Sequence, residues 1–285
     1  MSTTAVVLAL NADLHCHSTV SDGVLSPAEL AMRAHAQGVA LWSLTDHDAV
    51  AGLGEAGNAA AEVGLAFVPG VEISVTWAGR TVHVVGLNID PQYPDLQAGL
   101  ALLRDGRIAR GRLIADKLMQ LGLPDTYEGA LALTTNPGLL NRTHFGRYLV
   151  AQKLCTNMRE VFSRYLGDGK PADVRTQWAR LEDAVGWILR SGGKAVLAHP
   201  GRYGYDDTTL HALFDVFKQL GGVGLEVVTG SHSPDQYKTY AGIARQYGFE
   251  ASRGADFHAP SESQVDLGSL PPLPSGLLPV WHDMV

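Results

Sequence analysis

Residues 12–47, ADLHCHSTVSDGVLSPAELAMRAHAQGVALWSLTDH, contain one strand–helix–strand unit from which the rest of the chain can be read. Residues 12–15 and 40–45 are apolar runs of strand length. Between them Ser26-Pro27-Ala28-Glu29 has the form of a capping box with proline at the first helical position. Gly38 supplies the stop, because glycine closes a helix in the left-handed conformation without steric cost. The alternation continues, with strands expected at 66–71, 81–87, 195–198, 224–228 and 250–255. Helical patterns cover 49–63, 178–191, 208–220 and 234–247, the last opening at Ser233-Pro234. Strands alternating with helices predict an α/β fold with a parallel sheet, open or closed into a barrel.

The rhythm breaks between about residues 91 and 178. That segment is mostly helical, with a long amphipathic stretch at 96–121 and further helices at 143–153 and 159–166, punctuated by Pro91, Pro94, Pro124, Pro137 and Pro171. It reads as a helical insertion, residues 95–178, capping a main domain made of 1–94 and 179–285. The proline- and serine-rich tail after Pro260 reads as an ordered wrap or a loop. No internal repeat is visible.

At 285 residues with 46% hydrophobic and 18% charged side chains, the chain can bury a sizeable core. Cys16 and Cys155 form no disulfide framework and match no zinc-binding spacing, which points to a reducing compartment. The first cationic side chain is Arg33, and the apolar run 6–10 is too short for a signal-peptide core. No run approaches the roughly 18 apolar residues of a membrane span. A cytoplasmic protein with no membrane and no obligate protein partner is expected. The net charge of -7 is uneven: residues 99–180 hold 13 Lys+Arg against 7 Asp+Glu, a balance of +6. A basic segment can be a solvated helical surface, but beside a metal cluster it attracts anions.

Six of the eleven histidines fall in short polar motifs interleaved with acids. The motifs are His15-Cys16-His17, Asp22, Thr45-Asp46-His47, Glu72, His83, Ala198-His199-Pro200 and Asp256-Phe257-His258. This nitrogen and carboxylate mixture suits two or three first-row divalent ions better than one structural zinc. On an extended strand His15 and His17 share a face and Cys16 points away to pack. Most of the other candidates follow strands at their carboxyl ends, the rim where parallel α/β barrels assemble chemistry. His83 lies inside its strand, so its placement depends on register.

These motifs, in this order, resemble those of the PHP (polymerase and histidinol phosphatase) domain over nearly the whole chain. The resemblance implies a distorted seven-stranded (β/α) barrel with a trinuclear metal site. It implies that His15, His17, Glu72 and Asp256 hold the first ion, that Glu72 bridges to a second held with His83 and His199, and that Asp22, His47 and His258 hold the third. Every ligand position is filled, which argues against a non-catalytic module. Asn141-Arg142-Thr143-His144-Phe145, Phe162-Ser163-Arg164-Tyr165-Leu166 and Gly169-Lys170-Pro171 resemble the family branch whose members cleave nucleotide phosphate esters: a phosphatase of 3′,5′-bisphosphorylated nucleosides and a 5′-to-3′ exoribonuclease.

The expected activity is therefore phosphoester hydrolysis with manganese-type ions (iron or zinc being alternatives), in which a metal-bridging hydroxide attacks phosphorus. Glu72, Asp22, His199 and Arg202 are the expected catalytic residues, Arg202 because an arginine fork matches phosphate oxygens. Arg142, His144, Arg107, Arg110 and Lys170 are candidate substrate contacts. Arg104, Arg107 and Arg110 form one helical stripe, and Arg142 and His144 either contact substrate or brace a helix. His144 and His232 are available as a general acid, although His232 reads equally as a loop residue. The first substrate choice is adenosine 3′,5′-bisphosphate, giving AMP and phosphate. Short 5′-phosphorylated RNA comes next, then histidinol phosphate. A metal-stabilised accessory module is the non-enzyme alternative.

Overall fold

The computed structural model describes residues 10–284, so all of the run 6–10 except Leu10 lies outside the described part. Seven strands lie side by side in chain order: β1 (Ala12–Asp13), β2 (Leu41–Leu44), β3 (Ala66–Trp77), β4 (Arg80–Leu87), β5 (Lys194–Leu197), β6 (Gly224–Thr229) and β7 (Glu250–Gly254). β7 returns beside β1, where Leu14 N donates to Arg253 O at 3.0 Å and Cys16 pairs with Phe257 just beyond the strands. The sheet thus curls into a nearly closed barrel.

The expected all-parallel sheet fails at β4, which runs antiparallel to both β3 and β5. β3 continues past Val71 through Thr76-Trp77, so only Ala78 and Gly79 remain before Arg80. Both adopt positive φ (43° and 75°), the backbone of a tight hairpin turn whose twist matches the strands. Two residues cannot make a parallel crossover. Because β4 runs backwards, residues near its start lie at the rim where the parallel strands end.

Helices cover the outside. α1 (Pro27–Ala36) opens at the expected box: Ser26 Oγ accepts from Glu29 N at 3.2 Å, and Glu29 Oε2 accepts from Ser26 N at 2.7 Å. α2 (Leu53–Glu62) follows β2. A large apolar cluster joins outward side chains such as Trp42, Ile73, Val84 and Leu197 to helix residues such as Leu30 and Ala56. A smaller cluster, including Val68, Val85, Leu87 and Val196, fills the barrel interior and is closed by Val280 and Trp281 from the tail. The tail is therefore an ordered wrap, with Val280 N donating to Ala251 O. Apolar inward residues below and polar ones above follow from strand alternation: Glu72 lies two pleats beyond Val68 on β3.

Between β4 and β5 come α3 (Pro94–Gln120), α4 (Tyr127–Leu131), α5 (Arg142–Ala151) and α6 (Met158–Val161). Leu96, Leu100 and Leu103 of α3 pack on the barrel, while Ile114, Ala115 and Leu118 join a separate core with Phe145, Leu149 and Leu166. α3 is not the simple amphipathic helix expected. Arg107 and Arg110 are buried on its packed face, and Leu102 is 72% exposed. α7 (Leu181–Arg190), α8 (Asp207–Gln219) and α9 (Pro234–Tyr247) complete the barrel's outer layer. Among the described residues no helix is long and apolar enough to cross a membrane.

Candidate metal centre

His15 and His17 follow β1 into the rim with their Nε2 atoms 3.2 Å apart. Cys16 turns the other way, accepting from Trp42 Nε1 at 3.2 Å, so it packs. Asp46 gathers the next loop by accepting from Ser18 N, Ser18 Oγ and Ser21 Oγ at 2.6–2.8 Å. That loop also needs Gly23, since a Cβ there would lie 2.0 Å from His17 O. Asp22 is thereby held 3.4 Å from His258 Nε2 and 3.9 Å from His17 Nδ1 and His47 Nε2.

Glu72 is the hub. It lies within β3 rather than after it, and inside the barrel it meets imidazole nitrogens from five directions. His47 and His83 approach at 2.8 Å, His199 at 2.9 Å, His17 at 3.3 Å and His15 at 3.4 Å. His83 reaches it because β4 is antiparallel. Asp256 lies 3.2 Å from His17 Nε2 and 3.6 Å from His15 Nε2. The structure thus brings all nine proposed ligands to one rim. Four overlapping groups have donor atoms within 4.8 Å of one another: His17, Asp22, His47 and His258; His15, Glu72 and His199; His15, His17 and Asp256; His47, Glu72 and His83. His47 faces Glu72 and His83 as well as Asp22 and His258, so it is less exclusive than the implied third-ion set.

These donors fit divalent cations. Ligand atoms around one ion stand about 3.0–3.4 Å apart when bonds are about 2.1 Å long, and the spacings here run from 2.8 to 3.9 Å. His17 Nδ1 and His199 Nδ1 are buried without a hydrogen bond, an arrangement that costs stability unless something else satisfies them. Burial alone would raise the Glu72 pKa, but His83, His47 and His15 hold it well below the usual carboxylate range. Burial, with His258 and His47 nearby, drives His17 down to about 3. Asp22 overcomes the burial of His258 and lifts it to about 9.

The opposite wall of the cleft comes from the helical segment and includes Arg107, Arg110, Arg142 and Trp178. Arg107 and Arg110 lie 4.7 and 5.3 Å over the Trp178 ring. Arg110 donates to Val174 O at 3.2 Å and makes no ion pair among the described residues. Its burial and the nearby Arg142 and Arg107 charges pull its pKa down to about 9, against the raising effect of Asp173 and Asp168. Arg142 donates to Leu166 O and Asp168 Oδ1. Arg202 lines the cleft and donates to Asp256 Oδ2 at 2.8 Å.

Other candidates lie elsewhere. Arg104 turns to Asp48 O. Lys170 is exposed and off the cleft wall. His144 is buried at the start of α5, where its Nδ1 accepts from Asn141 N at 3.2 Å; it is a helix cap. His232 uses both nitrogens on backbone, accepting from Gly201 N and donating to Val227 O, which removes it as a general acid. The sequence reading missed Glu226 and Asp48. A lone carboxylate inside the apolar run 224–228 was the available sign of the first. Nothing marked Asp48 apart from its place after His47.

A PHP domain model matches residues 13–190, more than half of the chain. The chain belongs to the PHP family. Over 274 residues it is 48% identical to a 3′,5′-nucleoside bisphosphate phosphatase of Chromobacterium violaceum, covering 96% of each chain. It is 44% identical to a 5′-3′ exoribonuclease of Haemophilus influenzae, covering 95% of this chain and 97% of that one. A solved structure from Chromobacterium violaceum, described as an amidohydrolase with bound sulfate and no metal, superimposes with a TM-score of 0.93 at 48% identity, covering 96% of this chain and 95% of that one. His199, Asp256 and His258 lie beyond the stretch matched by the PHP model.

Proposed function

We propose that this PHP protein is a metal-dependent phosphatase that releases the 3′-phosphate of 3′,5′-bisphosphorylated nucleosides, converting adenosine 3′,5′-bisphosphate to AMP and phosphate. The observation that carries the reading is the pairing of two walls. Clustered histidines and carboxylates around Glu72 face Arg110, a buried cation that forms no ion pair among the described residues. The similarity to a bisphosphate phosphatase over 96% of both chains supports the same substrate class.

His15, His17, Asp22, His47, Glu72, His83, His199, Asp256 and His258 would hold up to three ions, manganese being the choice for a mixed imidazole and carboxylate set with open positions. Bound there, the ions would activate water at neutral pH and neutralise phosphate oxygens. Glu72 fixes the spacing of its histidine neighbours from a buried position. Arg202 faces the cleft beside Asp256 and supplies a fork for the reacting phosphate. Residues 95–178 act as a cap, in which Arg142 and Arg110 grip the second, non-reacting phosphate, while Arg107 is held by Asp48. Such remote binding positions the scissile ester and excludes water.

One observation favours a second substrate. A further cleft shares Arg110 and Arg142 with the site and is lined by Arg80 and Arg175 beside Asp168 and Asp173, a cationic surplus that suits the continuing backbone of short 5′-phosphorylated RNA. A panel of adenosine 3′,5′-bisphosphate, AMP, histidinol phosphate and short 5′-phosphorylated RNA, assayed with manganese after chelation, tests the proposal. Fastest phosphate release from the bisphosphate is expected, with magnesium a poorer activator because it disfavours many imidazole ligands. Faster cleavage of RNA would reverse the two substrates, and no hydrolysis of any would leave an accessory module.

A further inference from the structure

β6 is buried along its whole length, and Glu226 is its one charged residue. The side chain is 1% exposed and pairs with no lysine or arginine among the described residues. Both oxygens are nevertheless occupied. Oε1 accepts from His15 Nδ1 at 2.8 Å, and Oε2 accepts from His199 N at 2.6 Å. The strand is adapted at this point: Glu226 pairs with Ser252 and Val228 with the next residue, Arg253, leaving Val227 as a bulge. Bulges of this kind re-aim side chains beside active sites.

Each contact has a consequence at the rim. An ionised carboxylate only accepts, so His15 must carry its proton on Nδ1. Nε2 is then the nitrogen that faces the cluster and would offer its lone pair to an ion, 3.2 Å from His17 Nε2 and 3.4 Å from Glu72. His199 has φ 26° and ψ 57°, a conformation costly for a residue with a side chain. Glu226 holds its N–H, and in that conformation the ring Nε2 reaches Glu72 at 2.9 Å.

We propose that Glu226 is a positioning residue for the metal centre, fixing the tautomer of His15 and the backbone of His199 with a single buried carboxylate. This rests on the reading that His15 and His199 hold ions. It explains why a carboxylate is needed there. A glutamine of the same shape has one acceptor oxygen and an amide that donates. If the oxygen serves His199 N–H, the amide faces His15 Nδ1 and moves the ring proton to Nε2, the atom needed for ligation. If the amide turns round, two donors meet at His199.

The test is manganese affinity of metal-free wild type, Glu226→Gln and Glu226→Asp, measured by chelator competition, with ¹⁵N-histidine NMR to read the His15 tautomer. The aspartate keeps two acceptors on a stem shorter by about 1.5 Å, so it can serve one partner but not both. Glu226→Gln is expected to bind its tightest ion about 10–100-fold more weakly and to lose the Nδ1–H tautomer. Its activity should fail at limiting manganese and recover substantially in excess. If Glu226→Gln does not fold, the same weakening in Glu226→Asp carries the test. Wild-type affinity in either folded variant overturns the proposal. A wild-type protein that binds no manganese overturns the metal reading itself, which is a separate result.

Discussion

Arg107 of α3 and Asp48, the residue after His47, form a buried ion pair that ties the helical segment to the barrel. Asp48 sits at φ 48° and is held on several sides: its Oδ1 accepts from Ser74 N at 2.7 Å, and its carbonyl accepts from Arg104 at 2.8 Å. Removing one partner of such a pair leaves a buried charge uncompensated. Asp48→Ala should therefore lower unfolding stability by about 3–5 kcal/mol. Urea unfolding reads this directly, and a loss below about 1 kcal/mol, the range of exposed pairs, would show that the contact is incidental.

The two arginines with spare capacity at the cleft make a separable prediction. Losing a charge-assisted contact costs on the order of 1.5–3 kcal/mol, or roughly ten- to hundred-fold in kcat/KM. Arg142→Ala should penalise adenosine 3′,5′-bisphosphate by that factor and an aryl phosphate far less, and Arg110→Ala should follow the same pattern. The ratio of the two losses is the quantity to measure. Equal losses for both substrates would mean that these side chains brace the cap or serve the reacting phosphate.

Two buried histidines predict how the metal-free fold responds to acid. His144 and His232 are each pulled down to about 4, mainly by burial, and both accept a backbone N–H in the neutral form. The unfolded chain binds their protons near pH 6.5 and the folded chain does not. Their stabilisation is therefore complete above about pH 6.5 and is lost as pH falls towards 4, with a slope of about 1.4 kcal/mol per pH unit for each group. His232→Gln should flatten that slope by about one group's share in denaturant unfolding between pH 4.5 and 7. An unchanged slope would mean that His232 is protonated in the folded protein.

Much of the architecture was readable because burial and alternation leave marks in single residues. All seven strands and their order along the chain follow from apolar runs, and α1 follows from its capping box. The direction of β4 did not follow, because Ser74-Val75-Thr76-Trp77 looked like a connection while it was in fact the second half of β3. That error also left His83 without a location, which the hairpin supplies. The ligand types were legible since histidines and acids at strand ends stand out against apolar runs. Their partners were not: Glu226 hid inside a run that otherwise reads as core. Arg107 and Arg110 read as candidate substrate contacts, but nothing in α3 itself announces that Asp48, Val174 and Trp178 hold them.

Five imidazoles converge on the single carboxylate of Glu72, so its removal disturbs every ion position at once. The decisive measurement is the manganese content per chain of Glu72→Ala after loading and desalting, taken with its turnover of adenosine 3′,5′-bisphosphate. An intact fold by circular dichroism, fewer bound ions than wild type and no detectable turnover are expected. A Glu72→Ala protein with full metal occupancy and normal activity would contradict the metal-centre assignment.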